Sequence, residues 1–379
     1  MIPRRSSRTA VAVLLAGACA VGVAACGGAK SGSGAGSTVR PASSARGPSG
    51  TEAASAASAT ETVTGEGSKQ TLIVYSAQGY APNSVKAFEE ETGIPTKLVE
   101  NSTGPLFARI QAEKASPQWG LFWVDGQEPF ASLDEQGMLV KNLEIPKLTA
   151  LGEELVPVDH SFVPTGITLA CAVIYNSREL TRPPTTWEQL AESRYAGKIG
   201  MNNPSVSGPT YPCVVGVMNH LGSEAKGEAF FEKLKKNGLE ISETNGNTLH
   251  LLETGQISIG LIQSSAELGA TEEVKGLKIA FLPKETVLPS NIGVDAKAPP
   301  VVREEAQKFI DWVLSPAGQH QMKIGDPHGD SLFWPVAAST KPRPELPELS
   351  SISTQQVNPY EWGKKEASIN RWFTAHIVE

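Results

Sequence analysis

The chain has 379 residues, 40% of them hydrophobic and 19% charged, with a formal net charge of −7. That is enough chain for two ordinary domains of ~100–200 residues each, and the acidic balance excludes a broad nucleic-acid or anionic-membrane footprint. Four cysteines are too few for a disulfide scaffold, and no run of ~18 apolar residues marks a mature membrane span.

The N-terminus reads as an address. Arg4, Arg5 and Arg8 precede an uncharged stretch from Ala10 to Ala25, which is short for a spanning helix and suits a signal-peptide core. It ends in Val23-Ala24-Ala25-Cys26-Gly27, which resembles the lipobox of bacterial lipoproteins. The resemblance implies that residues 1–26 are a lipoprotein signal peptide and that Cys26 takes a diacylglycerol. The protein would then be exported and lipid-anchored at the outer face of the cell membrane. An ordinary secretory peptide with a coincidental cysteine is the other reading, and Arg4-Arg5 leaves the export route open. Residues 27–69 follow as a flexible linker rich in Gly, Ser and Ala. Its few large apolar residues cannot offset the entropy of ordering it.

From Gln70 onward the pattern is that of a folded body. Thr71 to Ser76 is a short β-rich run. Pro82 to Glu91 reads as a helix with Val85 and Phe88 inward and Gly93 as its stop. Pro95 to Glu100 returns as a strand, Thr103 to Ala115 as an amphipathic helix, and Leu121 to Val124 as a third strand. Such alternation means βαβ units and a largely parallel sheet. A second α/β set follows. It comprises strands at Leu169 to Tyr175, Lys198 to Met201, Ile257 to Gln263 and Ile279 to Leu282. Its helices are a short one from Thr186, then Tyr211 to Leu221 and Glu224 to Asn237. Arg303 to Leu314 closes the series as a helix.

Several segments are carried in a telling order: Leu72-Ile73-Val74-Tyr75-Ser76, Ala87-Phe88-Glu89-Glu90-Glu91-Thr92-Gly93-Ile94, Ser102-Thr103-Gly104, and Val173-Ile174-Tyr175-Asn176. Pro184-Thr185-Thr186-Trp187, Gly197-Lys198-Ile199, Phe309 through Pro316, and Gly318-Gln319 complete the set. Together they resemble the extracellular solute-binding proteins of ABC importers, in the group of ferric-iron and 2-aminoethylphosphonate binders. The resemblance implies an α/β, two-lobed type II periplasmic-binding-protein fold with two crossing hinge strands, Phe162 to Thr168 and Leu288 to Val294. It places lobe one at 70–165 and 287–379, and lobe two at 166–286. It also implies a monomeric receptor that closes its cleft on a small-molecule solute and hands it to an ABC permease and its ATPase.

In a doubly wound sheet, ligands lie beyond the carboxyl ends of strands, at helix N-termini whose free N–H groups favour anions. Three helix starts here are rich in hydroxyls and glycine: one at Ser76 and Gln78, one at Ser102 and Thr103, and one running through Ser205, Ser207, Gly208, Thr210 and Tyr211. They point to a small anionic or organophosphorus solute. Ser, Thr and Asn are also ordinary N-caps, so each of these residues has a purely structural alternative. Asp125 has two readings, as the head of an acidic capping box with Glu128 or as a ligand for an ammonium or hydroxyl. Gln263 and Ser264 follow a lobe-two strand and offer neutral hydrogen bonds. Ferric binders carry adjacent tyrosines there, and this chain has no such pair, so iron, with its need for hard oxygen donors, is the lesser reading and no metal ligands are assigned. Trp123, Tyr80, Tyr211, Phe333 and Trp334 are candidates for pocket lining, with Trp123 better placed as core and Phe333-Trp334-Pro335 as a cover over the cleft. Cys171 and Cys213, both in lobe two, are either bridged or two buried thiols.

No Gly-x-Ser-x-Gly elbow, His-Glu-x-x-His or Walker loop is present, and the six histidines are scattered. The sequence therefore points to no enzyme and no cofactor. A receptor that reports its ligand to a membrane signalling partner would use the same fold.

Overall fold

The computed structural model describes residues 70–379; the leader, Cys26 and the linker lie outside the described residues. The first half runs β1 (Leu72–Ser76), α1 (Ala81–Thr92), β2 (Thr96–Glu100), α2 (Thr103–Ala112) and β3 (Leu121–Asp125), as the alternation predicts. α1 begins with a proline in its first turn and ends where Gly93 takes a left-handed conformation at φ +64°, which a residue with a Cβ adopts at a cost. β1 pairs in parallel with both β2 and β3, so the connecting helices must cover the sheet faces.

After α3 (Glu128–Glu135) and α4 (Ala150–Glu154), β4 (Phe162–Leu169) carries the chain across to a second sheet. The run expected as one strand from Leu169 to Tyr175 is two strands: β4 ends at Leu169, and β5 (Ala172–Asn176) belongs to the other sheet. Then come α5 (Trp187–Leu190), β6 (Ile199–Asn202), α6 (Thr210–Leu221), α7 (Glu224–Lys236), β7 (Glu240–Ser242), α8 (Asn245–Glu253), β8 (Ile259–Ile262), α9 (Ser264–Glu273) and β9 (Leu277–Ala280). The long β10 (Glu285–Val294) returns to the first sheet, and α10 (Pro300–Val313), α11 (Pro316–Gly325), β11 (Trp334–Pro335), β12 (Thr354–Gln355), α12 (Pro359–Gly363) and α13 (Glu366–Phe373) complete the chain, with a π-helical turn over Thr374–Val378.

The first sheet has the order β11-β4-β10-β3-β1-β2, with β12 paired to β10, and the second has β7-β6-β8-β5-β9. β4 and β10 are antiparallel neighbours along nearly their whole length, from Val287 against Leu169 to Gly293 against Phe162, with a register shift at Ser290/Asn291. They are the two crossing strands of the expected fold. Each lobe has its own apolar core. The first gathers Phe88, Trp123, Phe309 and Phe333 among others, and the second Trp187, Met201, Val214 and Phe231. Phe333 and Trp334 do not cover the cleft. Phe333 is 1% exposed and packs on the Tyr80 ring at 5.8 Å, while Trp334 pairs with β4 at Ile167. Apolar area of this size does more for stability in the core than over a solvated cleft. Trp123 and Tyr80 are likewise core.

The C-terminal residues touch both lobes. Trp362, Ile369, Phe373 and Ile377 enter the second core. On the other side, the Tyr360 hydroxyl donates to Asp134 Oδ2 at 2.9 Å and Lys364 pairs with Glu135 at 2.8 Å, both on α3.

Cys171 and Cys213 are joined as a disulfide across a separation of 42 residues, tying the end of the β4 crossing to α6. By chain entropy a loop of that length is stabilised by ~4 kcal/mol. Replacing both cysteines with alanine is expected to lower the melting temperature by several degrees; an unchanged melting curve would contradict a structural role. Among the described residues no helix is long and apolar enough to cross a membrane.

Candidate functional site

The lobes meet along a cleft at the carboxyl ends of β1, β3, β6 and β8. They touch closely at two glycines. The Gly104 N–H donates to Val206 O across the cleft at 3.2 Å. A Cβ at Gly104 would lie 2.1 Å from Ser205 O, and one at Gly208 2.2 Å from Thr103 Oγ1. Only glycine lets the α2 start and the loop before α6 come this near. A Gly208→Val substitution is expected to hold the lobes apart, weakening solute affinity about tenfold or more while the ligand-free melting temperature stays unchanged. Unchanged affinity would show that this contact is not part of capture.

Between the lobes lies an inner cavity of about 240 Å³, lined by Ser102, Thr103, Asp125, Ser207, Gly208, Thr244, Asn245, Gln263 and Asp330, with Ala77, Pro209, Glu243 and Gly246. Helix starts from both lobes face it. Ser102 precedes α2 without using its hydroxyl as a cap. Thr244-Asn245-Gly246 opens α8, where the Thr244 hydroxyl accepts from the Asn247 N–H at 3.3 Å. The residues that line this cavity include no lysine, arginine or histidine.

Asp125 is the centre of the arrangement. It ends β3, is 7% exposed, and does not cap α3, whose N-cap is Gln127 with no side-chain cap. Its Oδ1 accepts from Gln78 Nε2 at 2.9 Å and its Oδ2 from Gln263 Nε2 at 3.1 Å. Gln78 belongs to the first lobe and Gln263 to the second, so this carboxylate links the two. The network continues through Asn245, which donates to Gln263 at 3.4 Å, and Asn202, which donates to Asn245 at 2.7 Å and to Ser207 Oγ at 3.3 Å. Across the cavity, Asp330 Oδ2 accepts from the Gly79 N–H at 2.7 Å. Burial pushes both carboxyls up from their ordinary range, and the charge on Asp125 pushes Asp330 further, while their amide partners pull the other way. The two acids face one cavity with no cationic side chain among its lining residues.

Of the residues singled out from the sequence, Ser102, Thr103, Asp125, Ser207, Gly208 and Gln263 line the inner cavity, and Ser205 and Tyr211 line an adjoining one. Four do not line either. Ser76 Oγ donates to Trp123 O at 2.8 Å and so ties β1 to β3. Gln78 acts through Asp125. Thr210 is buried in the first turn of α6. Ser264 Oγ accepts from the Leu169 N–H at 3.0 Å and fixes α9 to the crossing strand. Asp330, Thr244, Asn245 and Glu243 were missed. Thr-Asn-Gly at 244–246 has the same hydroxyl, amide and glycine signature as the other starts, and was legible had α8 been placed. Among the described residues no group of three or more His, Cys, Asp or Glu side chains is gathered as a metal site.

Residues 83–346 match the family model of bacterial extracellular solute-binding proteins. The chain is 22% identical over 300 residues to a putative 2-aminoethylphosphonate-binding periplasmic protein of Salmonella typhimurium, covering 76% of this chain and 84% of the relative. It is 23% identical over 319 residues to the thiamine-binding periplasmic protein of Escherichia coli, covering 80% and 93%. Among solved structures, the periplasmic binding protein AfuA from Actinobacillus pleuropneumoniae, with exogenous fructose-6-phosphate bound, superimposes with a TM-score of 0.72 at 18% identity, over 81% of this chain and 98% of that one. The fold is thus the two-lobed type II one. With the match spanning well over half of its length, the chain belongs to the bacterial extracellular solute-binding proteins, the receptors of ABC importers.

Proposed function

We propose that this receptor captures a small organophosphorus solute that also carries an ammonium group. One observation supports this reading above the others: the inner cavity combines helix N-termini and hydroxyls from both lobes with two acids, the buried Asp125 and the partly exposed Asp330, and no cationic side chain. The Gly104 N–H is bonded to Val206 O and Pro105 has none, so the α8 start and the Ser102, Thr103 and Ser207 hydroxyls are the groups that suit a phosphonate or phosphate, and a hydrogen bond to a charged group contributes roughly 1.5–3 kcal/mol. A solute with negative charge alone would meet the carboxylates unrelieved; an ammonium beside Asp125 relieves them. One relative is named for 2-aminoethylphosphonate, a compound with both a phosphonate and an amine, which agrees with this chemistry.

In this reading the lobes, 70–165 with 287–379 and 166–286, close on the solute. The receptor then presents it to an ABC permease and its ATPase, without chemistry of its own. It works as a monomer, exported and held at the outer face of the membrane by a lipid on Cys26. Closure follows from higher affinity for the closed state than for the open one. The test is a thermal-shift panel of inorganic phosphate, aminoalkylphosphonates, sugar phosphates, thiamine, amino acids and ferric citrate. A solute at about 100 times its Kd adds ~2.7 kcal/mol. A shift with aminoalkylphosphonates supports the reading. A shift with ferric citrate alone, or with inorganic phosphate alone, overturns it.

A further inference from the structure

A second cavity of about 280 Å³ adjoins the inner one and shares Thr103, Asp125 and Gly208 with it. Its character differs. Phe107 and Pro129 of the first lobe and Pro204, Tyr211 and Pro212 of the second make its walls apolar, and α13 closes its side with Glu366, Ala367 and Asn370. α13 is held in place against the second lobe. Tyr211 Oη donates to Trp362 O at 2.6 Å just ahead of it, and Phe373 packs on Phe231 with ring centroids 5.6 Å apart. The apolar walls frame a small set of hydrogen-bond acceptors. Glu366 Oε2 and Asn370 Oδ1 are buried and have no hydrogen-bond partner. Behind them Glu128, 2% exposed, has its Oε2 in the same condition, at the position where Gly126 and Pro212 meet. No lysine, arginine or histidine lines this cavity.

Buried acceptors without donors are costly. Two of them on the cavity wall, Glu366 Oε2 and Asn370 Oδ1, select an occupant that brings N–H donors and positive charge. We propose that this adjoining compartment is a second subsite of the cleft, that the C-terminal helix α13 is one of its walls, and that it takes an amine-bearing arm of the solute while the phosphoryl head lies in the inner cavity. The inference rests on the reading that the cleft holds an organophosphorus solute. It adds that the solute is two-ended and that Glu366 and Asn370 set the length it prefers. Asp125, on the boundary, serves a short amine; Glu366 serves a long one.

The test uses calorimetric titration of the protein with 2-aminoethylphosphonate and with its longer homologue aminobutylphosphonate. The parent protein is expected to bind the longer probe about tenfold more tightly, the ratio that a single charged hydrogen bond supplies. Glu366→Gln is expected to remove that preference and leave the shorter probe's affinity unchanged. Ala367→Trp, at an exposed position whose side chain would fill the compartment, is expected to exclude the longer probe and still admit the shorter, with an unchanged melting temperature confirming the fold. Equal affinities for the two probes in the parent, or a preference that survives Glu366→Gln, overturns this inference alone. Failure of both probes to bind the parent overturns the proposed function and this inference with it.

Discussion

Raising the pH from about 5 to about 8 is expected to lower the melting temperature of the ligand-free protein by about 5 °C or more. Several carboxyls are buried with oxygens left unpartnered. Glu267 on α9 and Glu285 at the start of β10 are both fully buried, and neither oxygen of Glu267 has a partner. Burial pushes Glu267 well up, and the charge of Glu285 adds to this; Glu285 is raised by burial too, against the pull of the Leu282 N–H that donates to it. Burial carries Glu128 to about 7, and burial together with Glu128 carries Glu366 to about 8. In the unfolded chain these groups lose their protons near ~4.3. Above that value the folded protein therefore holds more protons than the unfolded one, and stability falls as pH rises through the window up to the raised values. Each such group loses up to ~1.4 kcal/mol per pH unit within its window. Glu267→Gln, which mimics the protonated form, should raise the melting temperature at pH 8 and change it little at pH 5. An equal gain at both pH values would show that packing, not titration, is responsible.

Asp125→Asn is expected to weaken binding of 2-aminoethylphosphonate by about 10- to 100-fold, the range for a hydrogen bond to a charged group. The asparagine keeps the shape, and one of the two glutamine amides, of Gln78 or Gln263, must turn its carbonyl toward the new NH₂. What is lost is the negative charge. Ethylphosphonate, which has no amine, should bind the variant as well as the parent or better, because a repelling charge has gone. Equal losses for both probes would mean that Asp125 acts by linking the lobes through Gln263 rather than by meeting an ammonium. The pH dependence separates the same alternatives. With Asp125 and Asp330 raised by burial, a neutral-to-alkaline shift ionises them more fully, so an ammonium-bearing solute should bind more tightly as pH rises toward 8, and a purely anionic one more weakly.

The regular alternation from β1 to β3 was legible because each strand is a short apolar run and each helix shows one apolar face between recognisable stops such as Gly93. The hydroxyl-rich starts at Ser102 and around Ser207 were legible for the same reason, since they lie at the end of a strand that could be placed. Asp330 was not. It lies in the Asp326 to Ser331 turn, far in sequence from Gly79 and Asp125, and only the return of the chain through β10 and α11 brings it to the cleft. α8 and α9 were hidden because their apolar faces are weak: Thr248 and Leu252 alone are buried on α8. α9 buries Ser264, Ser265 and Glu267, which read as polar surface. Asp125 looked like a capping residue because Glu128 follows at the spacing of a capping box. The N-cap is instead two residues later, at Gln127, which frees the carboxylate for the cleft. α13 has a clear apolar face, with Ile369 and Phe373 one turn apart, but that face does not say which lobe it packs against.

In the proposed function the cleft recognises phosphoryl and ammonium groups together. The most direct test is a paired calorimetric titration of the protein with 2-aminoethylphosphonate and ethylphosphonate, which differ by the amine alone. The amine-bearing compound is expected to bind at least about tenfold more tightly. Equal affinity, or tighter binding of ethylphosphonate, would contradict it.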